Sequence, residues 1–412
     1  MNDDIRTLLE SSDDRTLLGI CPMSEEIVTA ALREAAAESF VPMFIATPRQ
    51  VDADRGYTGW SQQDLREFVE QTADREGYDG PYALARDHGG PYQSMRDRGD
   101  DSVAPETAME YAKELFYDDL EAGFDILHVD ATEDATADEI LPLSTVAGRT
   151  VELIEAIERE RRENSDDPVY YEVGTEEISG GMTDAESFER YIELLTEKLT
   201  DAGLEDVHDR LLFIVGQVGT TMRIDMTNEF QPEQARTLVD RADSHGLHLK
   251  VHYTDWLDNS TLSLFPELGI GGANVGPEFA AAIVDALADL TEREQEIAAT
   301  ADDVTPSGFM ETFERAAVED GTWKKFAPDD LDSDDRVAFV EENRRNIATC
   351  VGRYVFTDPD VVEAREQLYD TIETHTEIDP DEYVVETVQD TIDRYVEAFN
   401  LTDSATVLGE VN

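Results

Sequence analysis

Apolar and polar residues alternate with a period of two between residues 247 and 255. The odd positions from 247 to 251 are apolar, whereas the even positions carry His248, Lys250 and His252. This alternation predicts a β-strand with one apolar face and one face of titratable side chains. In a closed parallel barrel the helices cover the outer face of such a strand, and polar groups near its carboxyl end converge on a shared site.

Two other apolar segments end in similar side chains, namely Asp87 and His88 after residues 82–86, and His128 and Asp130 within residues 126–130. His128 and Asp130 are two residues apart, so a strand would place both side chains on the same face. Three strands that end in His or Asp predict one active site at one rim of a barrel.

Strand patterns alternate with helical patterns along most of the chain. Ser24 and Ser61 precede two of the predicted helices as N-cap residues, and Pro232 and Pro277 begin two others. The predicted strands lie at 16–21, 42–47, 82–86, 126–130, 168–174, 211–216, 247–255 and 269–275. Eight strand–helix units predict an α/β protein with a (β/α)8 TIM barrel over residues 1–299. A doubly wound open sheet is the alternative, but no early G-x-G-x-x-G motif supports it.

The last part of the chain, residues 300–412, carries a different pattern. Its apolar residues recur with helical spacing at 336–354 and 359–375. We therefore expect an α-helical C-terminal extension that packs on the barrel.

Acidic residues dominate the composition. The chain has 412 residues, of which 95 are acidic and 32 basic, so its formal net charge is −63. Recurrent apolar strands argue against a disordered acidic protein. A halophilic cytoplasm accounts for the composition, because the Debye length is about 3 Å in molar salt and like charges barely repel there. Such a surface also argues against nucleic acid or an anionic membrane as a partner.

Cysteine usage and the N-terminus indicate the compartment. Cys21 and Cys350 are the only cysteines, so the sequence predicts no disulfide framework. The first residues are acidic and lack a basic, apolar signal, and no apolar run approaches the roughly 20 residues of a membrane span. We therefore expect a cytoplasmic protein.

Histidines and carboxylates at strand ends are the candidates for a metal site. His88 beside Asp87 suits a metal ligand with a neighbouring acid–base group, although a hydrogen-bonded core histidine is the alternative. His252 supplies a second imidazole, and Glu172 or Glu176 near the end of the fifth strand could supply an oxygen ligand. Abundant surface acid is the alternative explanation for both glutamates.

Further polar residues could contact a substrate. Lys250 could form a Schiff base with a carbonyl substrate, or its charge could be satisfied by neighbouring carboxylates. Asp130 could act in catalysis, or it could belong to a polar layer that fills the barrel. The candidate substrate-binding residues are Gln50, Tyr57, His128, Gln217, Asp255 and Asn274.

An ordered set of short motifs carries a resemblance to a known family. The segments are 18–21, 46–51, 56–59, Asp-His-Gly-Gly-Pro at 87–91, 128–131, 174–181, 252–255, 275–277, 323–325 and 353–354. Together they resemble the GatZ/KbaZ family, the so-called non-catalytic subunit of class II D-tagatose-1,6-bisphosphate aldolase. The resemblance spans nearly the whole chain.

This family is similar to the catalytic class II ketose-bisphosphate aldolases, which are zinc-dependent barrels. The resemblance implies that Asp87 is the acid–base group and that His88 and His252 are metal ligands. Two features depart from the aldolases. Gln217 stands where they have a strand-six histidine, and residues 253–255 replace their glycine-rich phosphate loop. Some relatives of the family are regarded as ketose 4-epimerases.

We therefore expect metal-assisted retro-aldol chemistry on a ketose or ketose phosphate, with either C3–C4 cleavage or C4 epimerisation. His88, His252 and Glu172 or Glu176 would hold the divalent metal, which is zinc or alternatively manganese, cobalt or nickel. Asp87 would remove the C4 hydroxyl proton, with Asp130 and Glu176 as further catalytic candidates. The alternative is a non-catalytic subunit that stabilises a separate class II aldolase. We also expect an oligomer.

Overall fold

The centre of the protein is a closed barrel of eight parallel strands, each paired with its neighbours in sequence. The computed structural model describes residues 2–11, 14–164, 166–175, 182–328, 331 and 335–411. Pairing of the first strand with the last closes the barrel, which confirms the predicted (β/α)8 fold. The strands are β1 (Leu17–Ile20), β2 (Met43–Ala46), β3 (Ala83–Gly89), β4 (Ile126–Val129), β5 (Tyr170–Gly174), β6 (Leu211–Val215), β7 (His248–Val251) and β8 (Gly272–Val275).

Helices surround this barrel and form the C-terminal part of the chain. In the described residues they are α1 (Asn2–Ser11), α2 (Glu25–Glu38), α3 (Gln62–Glu76), α4 (Pro105–Glu121), α5 (Leu143–Asn164), α6 (Ala185–Asp201), α7 (Glu205–His208), α8 (Pro232–Asp243), α9 (Asn259–Leu262), α10 (Leu264–Leu268), α11 (Pro277–Ala298), α12 (Phe309–Asp320), α13 (Arg336–Val351), α14 (Pro359–His375), α15 (Pro380–Ala398) and α16 (Ser404–Val411). Two 3-10 helices occupy Thr322–Lys325 and Gly352–Val355. The helical patterns do not specify α1, α7, α9, α10, α12, α15 or α16, although α12, α15 and α16 lie in the extension that is expected to be helical.

Local side-chain chemistry explains where two helices begin. Ser24 accepts a hydrogen bond from the backbone N–H of Ile27, and so caps α2. Ser61 and Asp64 exchange side-chain and backbone hydrogen bonds in a capping box at the start of α3. Both predicted N-caps are therefore confirmed, because the hydroxyl oxygens satisfy amides that have no partner within the helix.

The strand ends differ from the sequence prediction at three places. β3 continues to Gly89, so Asp87 and His88 lie within the strand rather than after it. The pairing of β3 with β4 shifts register between Arg86 and Gly89, and His88 has a φ of 50°. β7 ends at Val251. β8 begins only at Gly272, and Gly269 instead caps the end of α10 in the left-handed conformation.

The C-terminal helices share one hydrophobic core with the barrel. This core is continuous from Ile5 to Leu408. α15 packs against α2 and α11, where Tyr395 donates a hydrogen bond to Glu278 of α11. At the other end of the barrel, the Thr16 amide donates to the carbonyl of Phe399 at 3.2 Å. The helical character of the extension agrees with expectation, and a domain boundary after residue 299 stays a prediction.

None of the helices in the described part of the chain combines the length and the apolar character that crossing a membrane requires. Cys21 and Cys350 are both buried free thiols.

Candidate metal centre and active-site cavity

Four buried side chains from neighbouring strands converge at the carboxyl end of the barrel. Asp87 belongs to β3, His128 to β4 and Glu172 to β5, and His252 directly follows β7. Each offers one possible ligand atom, and these atoms lie within 4.8 Å of one another. The convergence follows from the fold, because parallel strands in a closed barrel end at one rim.

The distances within this group suit a small metal ion. His252 Nε2 is 3.1 Å from Glu172 Oε1 and 3.7 Å from Asp87 Oδ1. His128 Nδ1 is 3.4 Å from Asp87 Oδ1 and 3.5 Å from Glu172 Oε1. A tetrahedral ion with ligands near 2.1 Å separates those ligands by about 3.4 Å. These four separations lie near that value, so the group could hold a divalent cation.

His128 lies within this group, and one of its ring nitrogens already accepts a hydrogen bond. The backbone N–H of His88 donates to His128 Nδ1 at 3.2 Å, so this nitrogen carries a lone pair rather than a proton. Nε2 of the same ring is buried and has no hydrogen-bond partner among the residues that the structure describes. Ligation of a cation through Nδ1 would use the same single lone pair, so it would replace the hydrogen bond from His88.

The two carboxylates of the group are held in their charged forms. Burial raises the pKa of Asp87, but the neighbouring His88 and His252 outweigh it and hold that pKa well below its usual range. Burial likewise raises the pKa of Glu172, and Lys250 is the largest of the opposing influences that lower it to about 2. Ionised carboxylates are the form that binds a cation.

Lys250 serves as the ion-pair partner of this group. Its ammonium donates to Glu172 Oε2 at 2.5 Å, while Oε1 of the same carboxylate faces His252. Both Lys250 and Glu172 are fully buried. This contact matches the alternative in which carboxylates satisfy the lysine charge. It disfavours a Schiff base, because the amine nitrogen is buried against the carboxylate rather than open to a carbonyl substrate.

His88 lies beside the four residues and makes a different contact. Its Nδ1 is 2.8 Å from Asp130 Oδ2, and its Nε2 is 3.8 Å from Asp87 Oδ1. Burial raises the pKa of Asp130, but the hydrogen bond and charge of His88 lower it to about 2. The predicted ligand His88 thus adjoins the group without belonging to it, and the predicted ligand Glu176 lies outside the described residues. The assignment of the metal ligands stays a prediction.

A cavity of about 930 Å³ opens above the group, and both Asp87 and His252 line it. Four predicted substrate-binding residues also line it: Gln50, Tyr57, Asp255 and Asn274. The described lining includes neither Gln217 nor His128. The Gln217 backbone pairs with Thr183 instead, since its N–H donates to the Thr183 hydroxyl at 2.8 Å.

Two of these lining residues are polar groups in unusual surroundings. The amide oxygen and nitrogen of Asn274 are both buried, and neither has a hydrogen-bond partner in the described structure. Asp255 Oδ1 accepts from the backbone N–H groups of Gly276 and Glu278, at 3.0 and 2.8 Å. Burial nevertheless raises the pKa of Asp255 to about 7. Both side chains can exchange hydrogen bonds with a polyol.

Four basic side chains in the same lining, Arg49, Arg98, Lys325 and Arg353, are absent from the sequence-based site. They lie in loops and 3-10 helices, where no periodicity distinguishes a residue that faces a cavity from one that faces solvent. Three of the motifs behind the resemblance, at 46–51, 323–325 and 353–354, contain Arg49, Lys325 and Arg353, and these motifs are a signal that could have found them.

The fold and site define a (β/α)8-barrel protein with a candidate metal centre at the carboxyl ends of its strands. A family model described as "D-tagatose-1,6-bisphosphate aldolase subunit GatZ/KbaZ-like" matches residues 3–400. The chain therefore belongs to the GatZ/KbaZ-like family, a family of carbohydrate metabolism, and the resemblance seen in its motifs is confirmed.

Relatives of known name support this membership. The chain is 27% identical over 337 residues to the D-tagatose-1,6-bisphosphate aldolase subunit GatZ of Klebsiella pneumoniae, covering 78% of this chain and 77% of the relative. It is 26% identical over 338 residues to the protein of the same name from Escherichia coli K12, covering 78% of each.

Solved structures show the same fold at low sequence identity. A probable tagatose 6 phosphate kinase from Sinorhizobium meliloti 1021 superposes with a TM-score of 0.79 at 21% identity, covering 93% of this chain and 100% of that one. The fructuronate-tagaturonate epimerase UxaE from Cohnella laeviribosi superposes with a TM-score of 0.54 at 12% identity, covering 94% and 81%. These likenesses concern the fold alone.

Proposed function

We propose that this protein catalyses metal-assisted retro-aldol chemistry on a ketose or a ketose phosphate. Release of the aldehyde after C3–C4 cleavage makes it a lyase of the tagatose-bisphosphate-aldolase type. Rotation of the retained aldehyde before the bond re-forms makes it a C4 epimerase. The observation that carries the proposal is the buried group of Asp87, His128, Glu172 and His252 beside a cavity large enough for a sugar.

These four residues would hold the divalent cation, for which two imidazoles and two carboxylates favour zinc, with manganese, cobalt or nickel as alternatives. Such a cation supplies polarisation of the C2 carbonyl and offsets the negative charge that develops on its oxygen. The set differs from the sequence-based ligands in taking Asp87 and His128 where His88 and Glu176 are predicted.

Proton transfer then falls to His88, oriented by Asp130. The imidazole takes the proton of the C4 hydroxyl, the C4–O bond becomes a carbonyl, and the electron pair of the C3–C4 bond moves towards C2. In the epimerase outcome the same proton returns to C4–O when the bond re-forms; in the lyase outcome the aldehyde leaves and a proton is delivered to C3. Asp87, the sequence-based choice of base, is the alternative, but a carboxylate that binds a cation is a weaker base than an imidazole held by a carboxylate.

Polar residues of the cavity would orient the sugar hydroxyls. Asn274 offers both a donor and an acceptor, and both are buried without a described partner. A polyol would supply the missing hydrogen bonds, each worth about 0.5–1.5 kcal/mol. Asp255, Gln50 and Tyr57 line the same space and complete the polar contacts.

A non-catalytic role is the second candidate, because the relatives from Klebsiella pneumoniae and Escherichia coli are named as aldolase subunits. In that case the barrel would stabilise a separate catalytic class II aldolase. This alternative needs a partner chain that carries a complete set of aldolase metal ligands.

A substrate panel tests both candidates. Ketoses and ketose phosphates are incubated with chelated protein and with protein reloaded with zinc, manganese, cobalt or nickel, and the products are followed by NMR. Inversion at C4 identifies an epimerase, and triose release identifies a lyase. His252→Ala is expected to abolish turnover, and His375→Gln, at the end of α14, is the control.

Two outcomes would contradict the catalytic proposal. Full turnover by the chelated protein would reject a metal-assisted step. Absence of turnover with every substrate and metal, together with activation or stabilisation of a co-purified class II aldolase, would favour the subunit role.

A further inference from the structure

Four cationic side chains from distant segments line the active-site cavity, which is unusual in a chain with 95 acidic and 32 basic residues. Arg49 follows β2, and Arg98 lies between β3 and α4. Lys325 ends one 3-10 helix of the C-terminal region, and Arg353 lies in the other. The C-terminal region therefore supplies two of the four charges of this cavity.

These cations lack the acidic partners that other basic residues of the chain have. Arg86, for example, pairs with Asp119 at 2.5 Å. Across the described ranges of the chain, none of the four cavity cations forms an ion pair within 4.0 Å of a carboxylate. The Nε of Arg49 is also buried without a hydrogen-bond partner there. A basic side chain that forms no ion pair, in a chain with many acidic residues, keeps its positive charge available to bind an anionic ligand.

Two of the four cations are held by an aromatic ring. The guanidinium carbons of Arg49 and Arg353 lie 4.7 and 4.5 Å from the ring centroid of Tyr354. Both also donate to its hydroxyl, at 3.3 and 3.2 Å. The charge of Arg353 further acts on Asp255, which balances it in part. Arg49 is thus preorganised, whereas the side chains of Arg98 and Lys325 donate no hydrogen bond to the residues that the structure describes.

The positive charges of Arg49, Arg98 and Lys325 repel one another. The pKa of Arg98 is lowered by burial and then by Arg49, and that of Lys325 by burial and then by Arg98 and Arg49. Glu133 is one of the carboxylates in the lining, and Arg98 and Lys325 lower its pKa against the effect of burial. Asp134 nearby is already paired with Arg149 at 2.7 Å. Glu139 also lines the cavity, so the three cations exceed Glu133 and Glu139 by one positive charge, which favours an anion.

A carboxylate of this chain occupies the position at which (β/α)8 barrels commonly bind phosphate. Loops after the seventh and eighth strands and a helix N-terminus commonly bind phosphate there. Here the first amides of α11, from Gly276 and Glu278, donate to the Asp255 carboxylate instead. An anion would have to displace a buried carboxylate to reach them. A phosphate on the substrate therefore needs another set of donors.

We propose that Arg49, Arg98 and Lys325 form an anion subsite that binds the phosphate of a ketose phosphate. The proposal rests on the proposed function for the sugar, and the basic cluster adds the phosphate as part of the substrate. Arg49 and Arg98 supply planar, paired N–H donors, and Lys325 supplies a compact point charge. The C-terminal region then completes the substrate site by contributing Lys325.

Phosphate binding provides a test that needs no turnover. Inorganic phosphate is titrated into the full-length, metal-loaded protein by calorimetry, at constant chloride. Arg98→Gln and Lys325→Gln are each expected to weaken phosphate binding about tenfold to a hundredfold, as the loss of a charged hydrogen bond does. Lys324→Gln is the matched control, because Lys324 is the exposed neighbour in the same 3-10 helix and does not line the cavity. Circular dichroism checks that each variant is folded.

Kinetics extend the test to the sugar. The two variants are expected to raise KM for a ketose phosphate by a similar factor, whereas Lys324→Gln should leave that KM unchanged. Unaltered phosphate binding in both folded variants would overturn the subsite. Tighter competition by a hexuronate than by phosphate would overturn the choice of a phosphate ligand. Loss of phosphate binding in a protein that turns over no sugar would support the subsite and reject the proposed catalytic function.

Discussion

Glu172 is the residue on which the buried centre depends. One of its carboxylate oxygens faces His252 and the other accepts from Lys250, so it links the candidate ligands to the only buried lysine among the described residues. Lys250 balances part of the negative charge that two buried carboxylates bring to the centre. The pair therefore supports the folded protein whether or not a cation is bound.

Replacement of Lys250 tests this support. Lys250→Met leaves the Glu172 carboxylate buried without its partner, which should lower the free energy of unfolding by about 3–5 kcal/mol. Urea denaturation measures the change, with the exposed Lys324→Met as the control. A loss below 1 kcal/mol would show that another group neutralises Glu172.

The metal content of two variants distinguishes the proposed ligand set, which includes His128, from the sequence-based set, which includes His88. His128→Ala is expected to lower bound zinc per chain at least tenfold, because it removes one of four converging ligands. His88→Ala is expected to retain the metal while kcat falls about a hundredfold, since His88 is assigned to proton transfer. Elemental analysis after dialysis makes the measurement. Metal loss in His88→Ala with retention in His128→Ala would restore the sequence-based set.

At the scale of elements, the contact between β3 and β4 shapes the site. The register of the two strands shifts after Arg86, and Gly90 passes directly over the end of β4. A Cβ at Gly90 would lie 1.6 Å from the carbonyl oxygen of Asp130. Only glycine allows this approach, which brings His88 within hydrogen-bond distance of Asp130.

A side chain at this contact should therefore be poorly tolerated. Gly90→Ala is expected to destabilise the protein by more than about 3 kcal/mol, because backbone rather than a flexible side chain must move. Gly148→Ala in α5 is the matched control, where the nearest atom to an added Cβ is 3.8 Å away. This control should gain up to about 1 kcal/mol from helix propensity. Thermal unfolding of both variants decides the matter, and equal melting temperatures would refute the packing argument.

Individual helices and strands were easier to predict from the sequence than the contacts between them. The helices that Ser24 and Ser61 cap begin where the sequence predicts, since capping is a local interaction. The extension of β3 through His88 is not visible in the sequence, because it depends on pairing with a strand about forty residues further on. α15 follows a clear start signal at Pro380 but is not predicted from periodicity alone.

At the scale of the whole molecule, Glu158 connects three parts of the barrel. It belongs to α5 and accepts hydrogen bonds from Arg210 at 2.7 Å and from the Tyr171 hydroxyl of β5, also at 2.7 Å. Arg161 adds a third donor at 2.9 Å. Burial raises the pKa of Glu158, but these donors outweigh burial and lower it to about 2.

The network predicts a pH dependence of stability. The folded pKa of Glu158 lies below its usual value of 4.5, so the contribution is complete above that value and is lost as pH falls towards 2. Its size is about 3 kcal/mol at most. Glu158→Gln should therefore lose less stability than the parent between pH 5 and pH 3 in urea denaturation. The exposed Glu155→Gln is the control, and parallel curves for parent and Glu158→Gln would contradict the assignment.

The net charge of −63 predicts a salt requirement for the whole chain. Lowering KCl from molar concentration to about 0.1 M lengthens the Debye length to about 10 Å, so repulsion between acidic side chains grows. We expect the melting temperature to fall steeply, and glycerol at equal osmolality should not restore it. A melting temperature independent of salt would reject the halophilic interpretation.

The sequence by itself determined the barrel and the rim at which its chemistry gathers. The two-residue period of the strands, together with the eight strand–helix units, requires parallel strands. Parallel strands bring Asp87, Glu172 and His252 to one end of the barrel. Only the tertiary structure decided which side chains face one another. The bulge at His88 turns that ring to Asp130, and irregular segments bring Arg98 and Lys325 to one cavity. Periodicity encodes which face of a regular element is buried, but the register between strands and the paths of loops depend on contacts distant in sequence.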